Sequence, residues 1–151
     1  MPGTVTVFLP ALILARIGAV VPERLNAAQY VALLLILAGA AVLLRCVWDF
    51  VRVGRGTLSP VDAPRHLVVT GLYRYVRNPM YVGVFLVLLG EMVFFSSVAL
   101  LIYTIVWFIC VNLFVLLYEE PVLRSKFGKS YDDYCQSVHR WIPAPKRRVN
   151  G

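Results

Sequence analysis

Charge is what this sequence has least of. Only 15% of its 151 residues are Asp, Glu, Lys or Arg, and eight are acidic, where an ordinary soluble domain carries about 25% charged residues. Apolar residues reach 60%, against roughly 45–50% in a soluble domain. The pair of figures excludes a disordered chain and argues against a soluble globule, so lipid is expected to cover much of the surface. Cysteine is scarce too. Cys46, Cys110 and Cys135 are odd in number and widely spaced, and two lie inside apolar runs, so neither a disulfide framework nor a zinc pattern is available. All three read as core or lipid-facing packing residues. Histidine is limited to His66 and His139, and no metal site is expected. Internal repeats and low-complexity segments are missing as well. The length suits one membrane-embedded domain, residues 1–151, too small for a catalytic domain plus a separate receptor.

What the sequence does have is long apolar runs. Spanning a ~30 Å hydrocarbon core takes about 20 helical residues, and four runs are of that order. Thr4 to Val21 is interrupted only by Pro10 and Arg16; Ala27 to Trp48 carries Arg45 near its end; Met80 to Phe95 contains Glu91; Val98 to Tyr118 has no charge. The first lacks the basic n-region of a signal peptide and reads as a helix. Residues 80–118 as one helix would run about 60 Å, about twice the hydrocarbon thickness, so the segment must fold back. Ser96-Ser97 is the polar break at which it can do so, which makes the third and fourth helices a tight hairpin. Asn78 is a good N-cap, and Pro79 fits the first helical position.

After the fourth span, Glu119 to Phe127 continues the helix until Gly128 stops it. Ser130-Tyr-Asp-Asp133 is an S-x-x-D start signal for a short helix through about Val138. Trp141, Pro143 and Pro145 form an interfacial end. The expected fold is therefore all-α and polytopic, with four transmembrane helices, the tight hairpin and a C-terminal cytoplasmic interfacial helix. Residues 1–50 hold the two N-terminal spans and residues 51–145 the core that carries the chemistry.

Basic residues fix the orientation. Arg52, Arg55, Arg65, Arg74 and Arg77 lie between the second and third spans, and Arg124, Lys126, Lys129, Arg140, Lys146, Arg147 and Arg148 follow the fourth. Four crossings put both segments, and both termini, on the cytoplasmic side. The net charge of +7 then reports orientation and attraction to anionic membrane lipid, and no nucleic acid partner is needed.

Two clusters are candidates for chemistry. Tyr73-Arg-Tyr75-Val-Arg77-Asn78-Pro79-Met-Tyr81-Val-Gly83 places three tyrosines, two arginines and an Asn-Pro helix start at the mouth of a membrane helix. A helix N-terminus offers unpaired N–H groups and a positive dipole end, and with Arg77 it would hold a carboxylate. Tyr118-Glu119-Glu120-Pro121 ends the fourth span. Folding back at Ser96-Ser97 returns these carboxylates to the level of Arg77, so the clusters face one site. The bland alternatives are an interface belt of aromatic and basic residues and a solvated helix end.

Arg77-Asn-Pro-Met-Tyr81-x-Gly83 followed by Glu119-Glu120 resembles the integral-membrane methyltransferases that include isoprenylcysteine carboxyl methyltransferase and phosphatidylethanolamine N-methyltransferase. The resemblance runs from about Gly54 to Pro143. Leu-Val-x-x-Gly71-x-Tyr73 and Phe127-Gly-x-x-Tyr131 resemble the isoprenylcysteine branch; Asn78, where that branch usually has His, and Leu-Leu-Tyr118-Glu-Glu-Pro121 resemble the phospholipid branch. The resemblance implies S-adenosylmethionine as methyl donor at the cytoplasmic interface and a lipophilic acceptor arriving through the bilayer, an isoprenylcysteine-like carboxylate or a phospholipid amine. Under it, Arg77, Glu120 and Tyr81 form the catalytic centre. The donor site draws on Tyr73, Tyr75, Arg77, Asn78, Pro79, Tyr81, Gly83, Glu119 and Glu120, with Arg140 matching a basic residue near the end of the pattern.

The donor's carboxylate suits Arg77 and the helix start, its ammonium and ribose hydroxyls suit Glu119 and Glu120 as acceptors, and its sulfonium suits a tyrosine face. His66 stands just before the Leu-Val run, offset by one position from the histidine of that family. His139 reads as an interface residue, Gly54-Arg-Gly56 as a linker turn, and Glu91 as a partner for Arg16 or Arg24. Two rivals remain open: a nicotinamide-dependent membrane reductase of related architecture, and a non-enzymatic membrane scaffold. So compact a chain suits a prokaryotic inner membrane better than the endoplasmic reticulum.

Overall fold

The structure, a computed structural model, describes residues 3–21, 24–49, 51–52 and 67–143. A π turn at Thr4–Phe8 leads into α1 (Leu9–Ile17), followed by α2 (Ala27–Asp49), a 3-10 turn at Gly71–Arg74, α3 (Pro79–Phe95) and α4 (Val98–Phe114). A second π turn at Val115–Glu119 joins α4 to α5 (Glu120–Phe127), and α6 (Lys129–Ser137) is last. No strand occurs among the described residues, where an isolated parallel bridge pairs Val76 with His139.

Two helical runs are long and apolar enough to cross a bilayer: Ala27–Asp49, of 23 residues, and the continuous Val98–Phe127, of 30 residues. The apolar helices Thr4–Ile17 and Pro79–Phe95 are shorter. Only 17% of each spanning window is buried, whereas the core helix of a soluble protein is mostly covered. Leu34, Leu37, Ile102, Ile105 and Ile109 all stand exposed on these helices, the surface that lipid would cover.

Local chemistry explains the helix boundaries. Asn26 and Gln29 form a reciprocal capping box at the start of α2: the Asn26 N–H donates to Gln29 Oε1 (2.8 Å) and the Gln29 N–H to Asn26 Oδ1 (3.0 Å), which satisfies two otherwise orphaned donors. Between α3 and α4, Ser96 adopts a positive φ of 47°, and Ser97 Oγ accepts the Leu100 N–H at 3.3 Å as an N-cap does. Within α4 the polar side chains bond to their own helix. Thr104 donates to the Leu100 carbonyl (2.8 Å) and Asn112 to the Phe108 carbonyl (2.9 Å), so neither needs water in an apolar surrounding.

The helix after the fourth run starts differently from expectation. Gly128, at φ 55°, both ends α5 and caps α6, which begins at Lys129 with no side-chain cap. Ser130 is therefore inside the first turn and is not the cap. The left-handed glycine turns the chain in a single residue, leaving no extended position for a serine to cap from.

The chain divides into two compact units, Met1–Leu43 with Tyr81–Asn112, and Leu44–Met80 with Leu113–Gly151. In the first, α2 and α3 meet backbone to backbone: a Cβ on Gly39 would stand 2.7 Å from the Gly83 carbonyl oxygen, and one on Gly83 only 3.0 Å from Leu43 Cγ. Leu88 and Leu100 are fully buried there, and the rings of Phe85 and Phe108 meet at 5.1 Å. The Tyr103 hydroxyl donates to the Val5 carbonyl at 3.0 Å. Glu91 does not pair with Arg16 or Arg24 as expected; its Oε2 is buried without a hydrogen-bond partner. The second unit is built on Cys46, Val68, Val76, Val115, Tyr131 and Val138. Tyr131, Tyr134, Cys135 and Val138 follow one another at helical spacing, so α6 turns a single face to this core.

Candidate functional site

The second unit holds the charged cluster. Its first support is the end of α2, where the Asp49 side chain is only 8% exposed and accepts from Arg45 Nε at 3.2 Å. Gly71 opens the 3-10 turn with φ +59°, and a Cβ there would overlap the Asp49 carboxylate. Only glycine fits both the left-handed backbone and the contact. This turn leads through Tyr73 to Arg77, whose main-chain N–H donates to the His139 carbonyl at 2.9 Å. Its second support is the π turn, closed by the Glu120 N–H on the Val115 carbonyl. One extra residue in that turn changes the direction in which all later side chains leave the helix, and Pro121, which has no N–H, is compatible with the break.

Glu120 is the centre. Its carboxylate takes Arg140 side-on, from Nε to Oε1 at 2.7 Å and from Nη2 to Oε2 at 3.0 Å, a bidentate pairing that suits the planar guanidinium. Arg77 Nη1 lies 3.3 Å from the same Oε1 and donates to Cys135 Sγ at 2.6 Å. The Glu120 side chain is 10% exposed and that of Arg77 13%, so the pair is largely out of water. Arg77 Nε is buried with no hydrogen-bond partner. The hydrogen bond from Arg140 to Glu120, reinforced by the carboxylate's charge, raises the guanidinium's proton affinity further.

Three tyrosines surround this group. The Tyr134 hydroxyl donates to the Tyr73 carbonyl at 2.6 Å, and Tyr131 is buried one turn before Cys135 on α6. Burial, above all other causes, pushes the phenols of Tyr73, Tyr131 and Tyr134 above their usual range. They stay protonated at neutral pH and do not act as bases there.

The two clusters singled out in the sequence thus meet through Arg77 and Glu120, and Arg140 joins them. Asn78 and Pro79 are buried directly after Arg77. Glu119 is half-buried, and its charge acts on Tyr73. Tyr75 is 49% exposed and stands apart from the charged group. Tyr81 and Gly83 belong to the first unit, where the close approach of α2 accounts for Gly83. The His139 side chain is exposed. His66 and Gly54-Arg-Gly56 lie outside the described residues.

Sequence reasoning missed Asp49, Tyr134 and Cys135. Cys46 is buried and Cys110 exposed, in keeping with packing roles, but Cys135 touches the central arginine. The signal available was the spacing of Tyr131, Tyr134, Cys135 and Val138 on one face of a short helix.

The sequence profile of phospholipid methyltransferases matches residues 26–130. The chain belongs to this family. A protein-S-isoprenylcysteine O-methyltransferase of Schizosaccharomyces pombe is 40% identical over 80 residues, 52% of this chain and 34% of that protein. A probable protein-S-isoprenylcysteine O-methyltransferase of Oryza sativa is 28% identical over 120 residues, 76% of this chain and 61% of that protein. An uncharacterized protein of Haemophilus influenzae is 33% identical over 63 residues, 42% of this chain and all of that protein. The chain therefore spans about a third of the yeast protein and about three fifths of the rice protein. As a member of the phospholipid methyltransferase family, it presents two guanidiniums to one carboxylate, a site with positive charge to spare and one buried donor unused.

Proposed function

We propose that the chain transfers a methyl group from S-adenosylmethionine to a lipophilic acceptor resident in the membrane. The observation that carries this reading is the buried, unpartnered Nε of Arg77 in a cluster where two arginines face a single glutamate. A buried donor without a partner costs about 1–3 kcal/mol, and the carboxylate of the donor molecule is an acceptor that would satisfy it. Arg77 and Arg140 would hold that carboxylate, Asn78 and Pro79 set the helix start beneath it, and Glu119 and Glu120 would take the ammonium and ribose hydroxyls. Tyr73, half-buried and within reach of the charge of Glu119, is the better placed of the expected aromatic contacts.

Bound S-adenosylmethionine supplies a methyl group already activated by its sulfonium. The chain's share is to bind, align and keep water out. Among the described residues of the cluster none is a free base: the tyrosines hold their protons, Glu120 is clamped by two cations and His139 faces outward. Such a site favours an acceptor that need not lose a proton, a carboxylate in preference to an amine, in accord with the names of the yeast and rice relatives.

In this reading residues 51–145 are the donor-binding core, and the chain crosses the membrane four times, folding back at Ser96-Ser97 with both termini cytoplasmic. The Phe85–Phe108 pair, placed evenly about that break, supports the fold-back. Arg52 stacked over Trp48 at 4.6 Å is the kind of anchor found at a membrane interface. The test is methyl transfer by purified protein to an S-prenylated cysteine analogue bearing a free carboxylate, beside phosphatidylethanolamine. Methylation of the carboxylate is expected; transfer to neither, with no S-adenosylhomocysteine bound, would overturn the reading.

A further inference from the structure

The helix α6 supports the segment that carries Arg77 at three points. The Tyr134 hydroxyl holds the Tyr73 carbonyl, and the His139 carbonyl just beyond the helix holds the Arg77 N–H. Both of these act on the main chain. The third, Cys135 Sγ, acts on the guanidinium itself.

Resting on the reading of Arg77 as the donor-carboxylate residue, we propose that Cys135 is a positioning residue that sets the plane of the Arg77 guanidinium. Nη1 donates to Cys135 Sγ and at the same time lies in an ion pair 3.3 Å from Glu120 Oε1. A guanidinium is flat and its donors form a rigid fork, so fixing Nη1 against two partners fixes where Nε points. Nε is the donor left buried and unused. The sulfur stands on the face of α6 that is turned to the core: Tyr131, one turn earlier on that face, is 3% exposed. A thiol accepts weakly, so it orients the arginine without tying up the charge needed by a ligand. Valine, close to cysteine in shape, would fill the same space and accept nothing.

The experiment compares Cys135→Val and Cys135→Ser in detergent, reading S-adenosylhomocysteine affinity by calorimetry and thermal unfolding alongside. Cys135→Val is expected to weaken binding about tenfold, which corresponds to ~1.4 kcal/mol, while unfolding at the temperature of the unaltered protein. Cys135→Ser, which restores an acceptor, should bind within about threefold of it. Equal affinity for Cys135→Val and the unaltered protein would overturn the proposal and leave the donor site standing, as would equal losses in the Val and Ser variants, which would mean packing. Should Cys135→Val fail to fold, Cys135→Ala makes the same comparison. No binding by the unaltered protein would overturn the donor reading and this inference together.

Discussion

Glu120→Gln keeps the shape of a side chain that is 10% exposed and removes the charge that two arginines share. Breaking a buried ion pair from one side costs about 3–5 kcal/mol, because the remaining charge is stranded. Arg77 at 13% exposed would be stranded, but Arg140 at 29% can turn toward water, and Gln still accepts a hydrogen bond. A cost at or just below the low end of that range, about 2–3 kcal/mol, is therefore expected. Arg140→Ala removes the bidentate partner yet leaves Glu120 against Arg77, and should cost less, about 1.5–2 kcal/mol, the low end for loss of hydrogen bonds to a charged group, because Arg140 is partly exposed. Combined in one protein the two changes should fall short of their sum by about 1 kcal/mol or more, since they share one interaction. Unfolding in detergent, followed by far-ultraviolet circular dichroism, reads all four forms. A Glu120→Gln variant within about 0.5 kcal/mol of the unaltered protein, the range of ordinary surface changes, would refute the burial and charge argument.

Gly71→Ala should cost about 2 kcal/mol or more, part from the left-handed backbone and part from overlap with the Asp49 carboxylate. In an Asp49→Ala background the second part disappears; an equal cost in both backgrounds would show that the carboxylate is not the obstacle. Stability should also fall at high pH. The raised phenols of Tyr73, Tyr131 and Tyr134 keep their protons when folded and lose them above about pH 10 when unfolded. Their contribution is complete below that pH and declines above it, by up to ~1.4 kcal/mol per pH unit for each tyrosine. A denaturation series from pH 8 to 12 with no downturn, or with one unchanged in Tyr131→Phe, would contradict this.

Much of the site could be read from spacing. The length of residues 80–118 and the Ser96-Ser97 break led to the expectation that Glu120 comes back to Arg77, and the two stand 3.3 Å apart. What escaped was whatever depends on the direction of single side chains. Cys135 looked like packing because a thiol on a short helix carries no charge to announce a partner. The π turn before Glu120 left no trace beyond Pro121, since its extra residue fits the same apolar run. Asp49 stands just past the end of an apolar run and carries no motif of its own, while its contact with Gly71 joins residues 22 positions apart in sequence. Glu91 was given a cation that the fold does not supply: Arg16 is an exposed side chain at the end of α1, and long basic side chains of this kind keep their charge in water.

Calorimetry of S-adenosylhomocysteine and NADPH on the same purified protein bears most directly on the donor site. Binding of S-adenosylhomocysteine is expected, weakened at least about tenfold in Arg77→Ala, as loss of a charged hydrogen bond of ~1.5–3 kcal/mol requires, with no heat from NADPH. Binding of NADPH alone would point to the reductase, binding of neither to a scaffold, and S-adenosylhomocysteine affinity unchanged by Arg77→Ala would contradict the site itself.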